Sequence, residues 1–186
     1  MSRIVTPEQY FESALAALAE LGFTGLNIGM MCKKLGVTSG SFYHHFGSWQ
    51  GFVDALLTFW ENRQVVILRD VEFGAGPPEE DIESLRRLTL GLNHEAEAAI
   101  RAWAANDESV REVRNRVDDA RRKTVYKAVL RVVGDRATAK VVTSLGMSML
   151  VGYQQVAADG GYAPLDKLLD EFVRLIYSHA ELTQRA

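Results

Sequence analysis

Apolar residues recur at three- and four-residue steps along almost the whole chain, and no convincing two-residue alternation appears, so the pattern predicts an all-α fold. The first predicted helix opens on Thr6-Pro7-Glu8-Gln9, where Thr6 can cap the free amides, Gln9 can return the bond, and Pro7 is tolerated in the first turn. Phe11, Ala14, Leu15, Leu18 and Leu21 follow as one apolar stripe, and Gly22 is expected to end it. Asn27 reads as the cap of a short helix to about Leu35, stopped by Gly36, and Thr38 as the cap of a third to about His45. From Ser48 a long helix sets Val53, Leu56, Leu57, Trp60, Gln64, Ile67, Leu68 and Val71 on one face, up to the helix-breaking run Gly74-Ala75-Gly76-Pro77-Pro78.

Two shorter helices are expected next, separated near Asn93, with Ala99, Ile100, Trp103 and Ala104 facing inward on the second. Asp107 should cap a long helix to about Val133, and Gly134-Asp135 supply a stop and a new cap for a helix to about Ala158. After the loop Asp159-Gly160-Gly161-Tyr162-Ala163-Pro164, a last helix places Leu165, Leu168, Leu169, Phe172, Val173 and Ile176 together. That makes about nine helices by periodicity alone.

Composition narrows the function classes. With 47% apolar residues the 186-residue chain reads as globular, and it has no uninterrupted apolar run of membrane-spanning length and no secretion signal, so a cytoplasmic protein is expected. The single cysteine, Cys32, excludes an intramolecular disulfide and cannot build a zinc site alone. A net charge of −3 does not advertise a nucleic-acid partner, and the first fifty residues balance Arg3, Lys33 and Lys34 against Glu8, Glu12 and Glu20. No Ser/His/Asp or Cys/His arrangement, phosphate loop or metal-spaced cluster can be assembled, so neither an enzyme nor a cofactor protein is expected.

The informative segment is helix, glycine turn, helix, the organisation that presents a second helix to a major groove. In Leu35-Gly36-Val37-Thr38 the glycine permits the crossing, Val37 is an apolar peg, and Thr38 caps the second helix of the pair. In Ser39-Gly40-Ser41-Phe42-Tyr43-His44-His45-Phe46, Phe42 and Phe46 lie four apart on the buried side, leaving small and hydrogen-bonding residues outward. His44 and His45 point about 100° apart and cannot chelate one ion together, so no metal is expected.

From about Thr6 to Leu57 the chain resembles the TetR family of transcriptional regulators, through Gly22-Phe23-Thr24-Gly25-Leu26 and then Gly36-Val37-Thr38-Ser39-Gly40-Ser41-Phe42-Tyr43-His44-His45-Phe46. The resemblance implies a helix-turn-helix DNA-binding domain over residues 1–47 and a helical effector-binding and dimerisation domain over 48–186. It implies that Thr38 and Tyr43 hold phosphates, that Ser39, Gly40 and Ser41 lie nearest the base edges, that His44 and His45 reach either, and that Asn27 sits where a helix N-terminus meets a phosphate. Two departures stand out: Gly29 replaces a base-reading arginine of some members, and Trp49 replaces a backbone-contacting lysine of many.

In the body, Trp60, Trp103, Tyr126, Met147, Met149 and Tyr153 suit either an apolar core or the lining of a ligand cavity, with Trp103, Tyr126 and Met147 the chosen ligand contacts. On the penultimate helix Ala139, Val142, Gly146, Met149, Tyr153 and Val156 form one stripe and Ser144, Ser148 and Gly152 a second, which points to a homodimer built with the last helix. The expected function is therefore a homodimeric repressor released from a palindromic double-stranded operator by a small, largely apolar effector. The alternative keeps the fold and replaces the effector with a protein partner or with concentration alone.

Overall fold

The computed structural model describes residues 5–70, 73–156, 161 and 163–184. Among them the chain forms nine α-helices and no strand: α1 Pro7–Gly25, α2 Ile28–Leu35, α3 Ser39–Phe46, α4 Trp49–Asp70, α5 Pro78–Leu90, α6 His94–Ala104, α7 Glu108–Val133, α8 Arg136–Val156 and α9 Leu165–Gln184. Val71, the expected end of the penultimate helix at Ala158, and Asp159, Gly160 and Tyr162 of the following loop lie outside the described residues. No helix among the described residues is long and apolar enough to cross a membrane.

Local chemistry sets the helix boundaries. Thr6 Oγ1 accepts from the Gln9 amide at 3.4 Å while Gln9 Oε1 accepts from the Thr6 amide at 2.9 Å, satisfying two groups at the start of α1 that have no partner inside the helix. Asp107 Oδ1 accepts from the amides of Ser109 and Val110 ahead of α7, and Asp135 Oδ2 accepts from the Thr138 amide at 2.7 Å ahead of α8. These bonds favour the charged form and hold both carboxyls below the usual aspartate range, led by the Ser109 hydroxyl for Asp107 and by the Thr138 amide for Asp135.

Gly22 acts as a kink within α1 rather than as its end. Its φ of 67° and ψ of −179° leave the helical path, and one further turn runs on to Gly25. This also corrects the expected stripe: Leu21, at the kink, is 53% exposed, while Tyr10 and Ala17, outside the stripe, are fully buried.

The chain divides into two compact units, Met1–Gln64 with Asn93–Arg116, and Val65–Leu92 with Val117–Ala186; the division falls inside α4 and inside α7. In the first unit α6 packs along α1. Trp60 of α4 donates its indole N–H to the buried Glu97 carboxylate of α6 at 3.1 Å, and Arg116 grips Glu61 through two bonds of 2.7 and 2.8 Å. The Arg116 guanidinium bonded to Glu61 holds that carboxyl below the usual glutamate range.

In the second unit Ile82, Ala128, Val129, Val133, Ala139, Val142 and Ile176 form a buried core, with Phe172 and Val173 of α9 against it. Gly146 is buried where α8 meets α9, and an added Cβ would run into the Phe172 ring. Along the same helix Val141 is 60% and Leu145 51% exposed, with Ser144, Ser148 and Gly152 exposed beside them.

Stability should respond to substitution at two of these positions. Gly146→Ala should cost about 1–3 kcal/mol, the range for overpacking a filled core, as a lower urea midpoint at unchanged slope. Because Glu61 has its carboxyl lowered on folding, its stabilisation is complete above the unfolded pKa and is lost as pH falls through the folded one; Glu61→Gln should therefore flatten the acid limb of a melting temperature against pH profile.

Candidate nucleic-acid interface

Three residues shape the turn that presents α3. Gly36 takes φ 68° and ψ 37°, the left-handed region that favours glycine, and the Val37 amide returns to the Cys32 carbonyl at 3.0 Å. The chain then extends at Thr38, whose Oγ1 accepts from the Ser41 amide at 3.3 Å and starts α3. Asn27 does the same for α2, accepting from the Met30 amide at 3.0 Å while its side-chain amide donates to Gly25 O at 3.3 Å.

α3 is fixed from below by aromatic rings. Phe42 is fully buried, its ring centroid 5.9 Å from Tyr10, 5.2 Å from Phe46 and 5.2 Å from Phe52. Rings in these tilted and edge-on arrangements gain attraction beyond area burial. Trp49 closes the group, stacked 6.3 Å from Phe42 and tilted against Phe52 at 5.4 Å. The side chain at this departure from the family pattern is thus a packing residue. Cys32 is on the buried side of α2, and burial pushes its thiol up, away from the reactive thiolate.

The outward face of the motif carries Asn27, Thr38, Ser39, Gly40, Tyr43, His44 and His45, all exposed, with Ser41 half-buried. The eight residues expected to meet DNA are therefore all at least partly accessible. Tyr43 is 49% exposed and stands edge-on to Phe42, while His45 lies 5.7 Å from the Tyr10 ring. Lys33 is exposed nearby, and Lys34 is engaged with Glu20 at 3.3 Å. Gly29 is exposed at the start of α2, where an added Cβ would meet only the Asn27 side chain.

Residues 11–56, about a quarter of the chain, match the family model described as bacterial regulatory proteins, tetR family. That segment is a helix-turn-helix of the TetR type. The match gives the chain a DNA-binding head of the kind that bacterial regulatory proteins carry. Solved structures share the fold along nearly the full length of the chain. A transcriptional regulator from Rhodococcus sp. Rha1 is 20% identical with a TM-score of 0.75, covering 94% of this chain and 97% of that one. A TetR transcriptional regulator from Legionella pneumophila is 14% identical with a TM-score of 0.70, covering 98% and 99%. A ketosteroid transcriptional regulator of Mycobacterium tuberculosis is 17% identical with a TM-score of 0.63, covering 95% and 96%. No curated protein matches the sequence.

In the second compact unit a cavity of about 50 Å³ lies among α5, α7, α8 and α9, lined by apolar side chains including Leu85, Val129, Met147 and Phe172. Arg86 and Thr89 are the polar residues of the lining, and the Arg86 guanidinium bonds Asp170 Oδ1 at 2.9 and 3.2 Å. Of the three expected ligand residues, Met147 lines this cavity. Tyr126 packs against the core of the same unit and borders a shallow hollow with Lys123 and Lys140. Trp103 belongs to the first unit, where it stacks on Phe23 with ring centroids 6.4 Å apart and bonds Asp107.

Sequence reasoning missed Tyr10, which touches Phe42, Phe46 and His45 and bonds Ser41. Its signal was its place one residue before Phe11, which hid a second buried face of α1 behind the stripe. Removing the Trp49 ring should cost about 2–3 kcal/mol, below the range of a fully buried aromatic because Trp49 is half-buried; a Trp49→Ala melt checks it.

Proposed function

We propose that this regulator is a homodimeric, cytoplasmic repressor that holds a palindromic operator through α3 and releases it when a small, largely apolar effector enters the body. The observation that carries the reading is the two-sided α3. Its inner face is locked by Phe42, and its outer face offers small and hydroxyl-bearing groups at the end that enters a groove. Tyr43 and Thr38 bond phosphates and fix register, Ser39, Gly40 and Ser41 approach base edges, His44 and His45 flank them, and the α2 N-terminus at Asn27 faces a phosphate. In this division of labour residues 1–47 carry the DNA contacts and 48–186 the effector site and the dimer.

The exposed Val141 and Leu145, beside Ser144, Ser148 and Gly152, give α8 an apolar and small-residue face that a second copy would cover. Two copies present two α3 helices to one DNA face, so the operator is a palindrome with half-sites about one helical turn, or a multiple of it, apart.

The cavity beside Met147 is the effector's entry point. At about 50 Å³ it is smaller than the roughly 150 Å³ that holds benzene, so an effector of drug size must widen it. An effector that binds a widened body better than this one shifts the population toward it, and DNA affinity falls by that differential affinity. The ketosteroid regulator of similar fold supports an apolar effector, and the protein-partner alternative gains if none is found.

Selection of bound fragments from random DNA tests the interface. A symmetric, repeated site is expected, on which Tyr43→Phe weakens all sequences by about 1 kcal/mol, one net hydrogen bond, without changing preference. A single asymmetric element, or a changed preference, would overturn the assignment. Added apolar ligands should then lower affinity for the selected site, and a broad panel without effect would favour regulation by a partner or by concentration. For the assembly, wild type should sediment as a dimer at micromolar concentration and Leu145→Glu as a folded monomer.

A further inference from the structure

We propose that Tyr10 is a positioning residue for specificity: by donating its hydroxyl hydrogen to Ser41 Oγ, it biases Ser41 toward donating to DNA and so disfavours cytosine as the facing base. The inference rests on the reading of Ser41 as a base-edge residue.

Tyr10 is fully buried, and its ring is held edge-on by Phe42, Phe46 and His45, with centroids 5.9, 5.3 and 5.7 Å away. The hydroxyl is thereby carried to one place, 3.4 Å from Ser41 Oγ. A buried phenolic hydrogen left without an acceptor costs free energy, and Ser41 Oγ is the acceptor in reach. A serine hydroxyl has one hydrogen and two lone pairs, so accepting from below leaves the hydrogen as the group best placed to reach outward.

The backbone beneath is fixed by the Ser41 amide bonding Thr38 Oγ1, so only rotation of the hydroxyl remains to be decided. At 3.4 Å the bond is long for a hydroxyl pair, so it orients Ser41 without immobilising it. In the major groove guanine offers N7 and O6, adenine N7, and thymine O4, while cytosine offers the N4 amino donor alone. A hydroxyl that presents its hydrogen outward therefore favours guanine, adenine or thymine on the strand it faces over cytosine, whose amino group is left only the second lone pair.

The test uses the full chain and the selected operator. Ser41→Ala first identifies the position read by Ser41, as the one base pair in each half-site where preference flattens. At that position wild type should bind the cytosine variant about tenfold more weakly than the best base. Tyr10→Phe keeps the ring contacts and frees the serine hydroxyl to rotate; it should reduce that ratio to about threefold or less while affinity for the best operator and discrimination elsewhere stay unchanged. A purely structural role for Tyr10 would lower affinity for every sequence alike. If Ser41→Ala identifies the position but Tyr10→Phe leaves the cytosine penalty intact, the inference is overturned and Ser41 remains a base reader. If Ser41→Ala weakens all sequences equally, Ser41 faces phosphate, and the reading of Ser41 falls together with the inference. Should Tyr10→Phe not fold, wild type decides alone, because equal binding of cytosine and the best base at the Ser41 position excludes a fixed donor.

Discussion

The DNA-binding surface depends on the burial of one ring, Phe42. α3 spans only Ser39–Phe46, far below the length at which a helix is stable by itself in water, so its existence and aim come from what it packs against. Phe42 packs against Tyr10, Phe46, Trp49 and Phe52, and the dense interior transmits its position to the outward residues on either side. The same ring group explains how the chain forgoes a family lysine at Trp49. The aromatic there supports α3 from within, where a lysine would have to carry its charge out to solvent.

The second unit solves a different problem, how to close a helical bundle around long connections. Asp81, only 4% exposed, accepts the Gly74 amide at 3.0 Å and pairs with Arg131, which in turn donates to Gly76 O at 2.6 Å. A buried carboxylate is tolerable only when paired and hydrogen-bonded, and here its partners are the glycine-rich connection before α5 and a helix fifty positions away. The connection is thus tied to α7. Gly146 against Phe172 closes the α8–α9 contact by the opposite means, absence of a side chain.

Much of this was legible in the sequence because it is local. Capping at Thr6, Asn27, Thr38, Asp107 and Asp135 and the glycine at 36 are settled within a few residues, and each stands where the pattern placed it; the apolar periodicity placed the helices but missed part of the buried face of α1. The string from Gly36 to Phe46 fixes both a turn and a buried face, so the residues of the outward surface could be named before any coordinates. Tertiary structure decided what depends on contacts distant in sequence. Periodicity says that a face is buried and not what lies opposite, so it hid the bond from Tyr10 to Ser41, thirty-one residues away, and could not tell that Trp103 stacks on Phe23. It set Gly146 and Gly152 on different stripes of one helix but could not show that the Phe172 ring fills the space at the first while the second stays open, because that depends on the neighbours that folding brings to them.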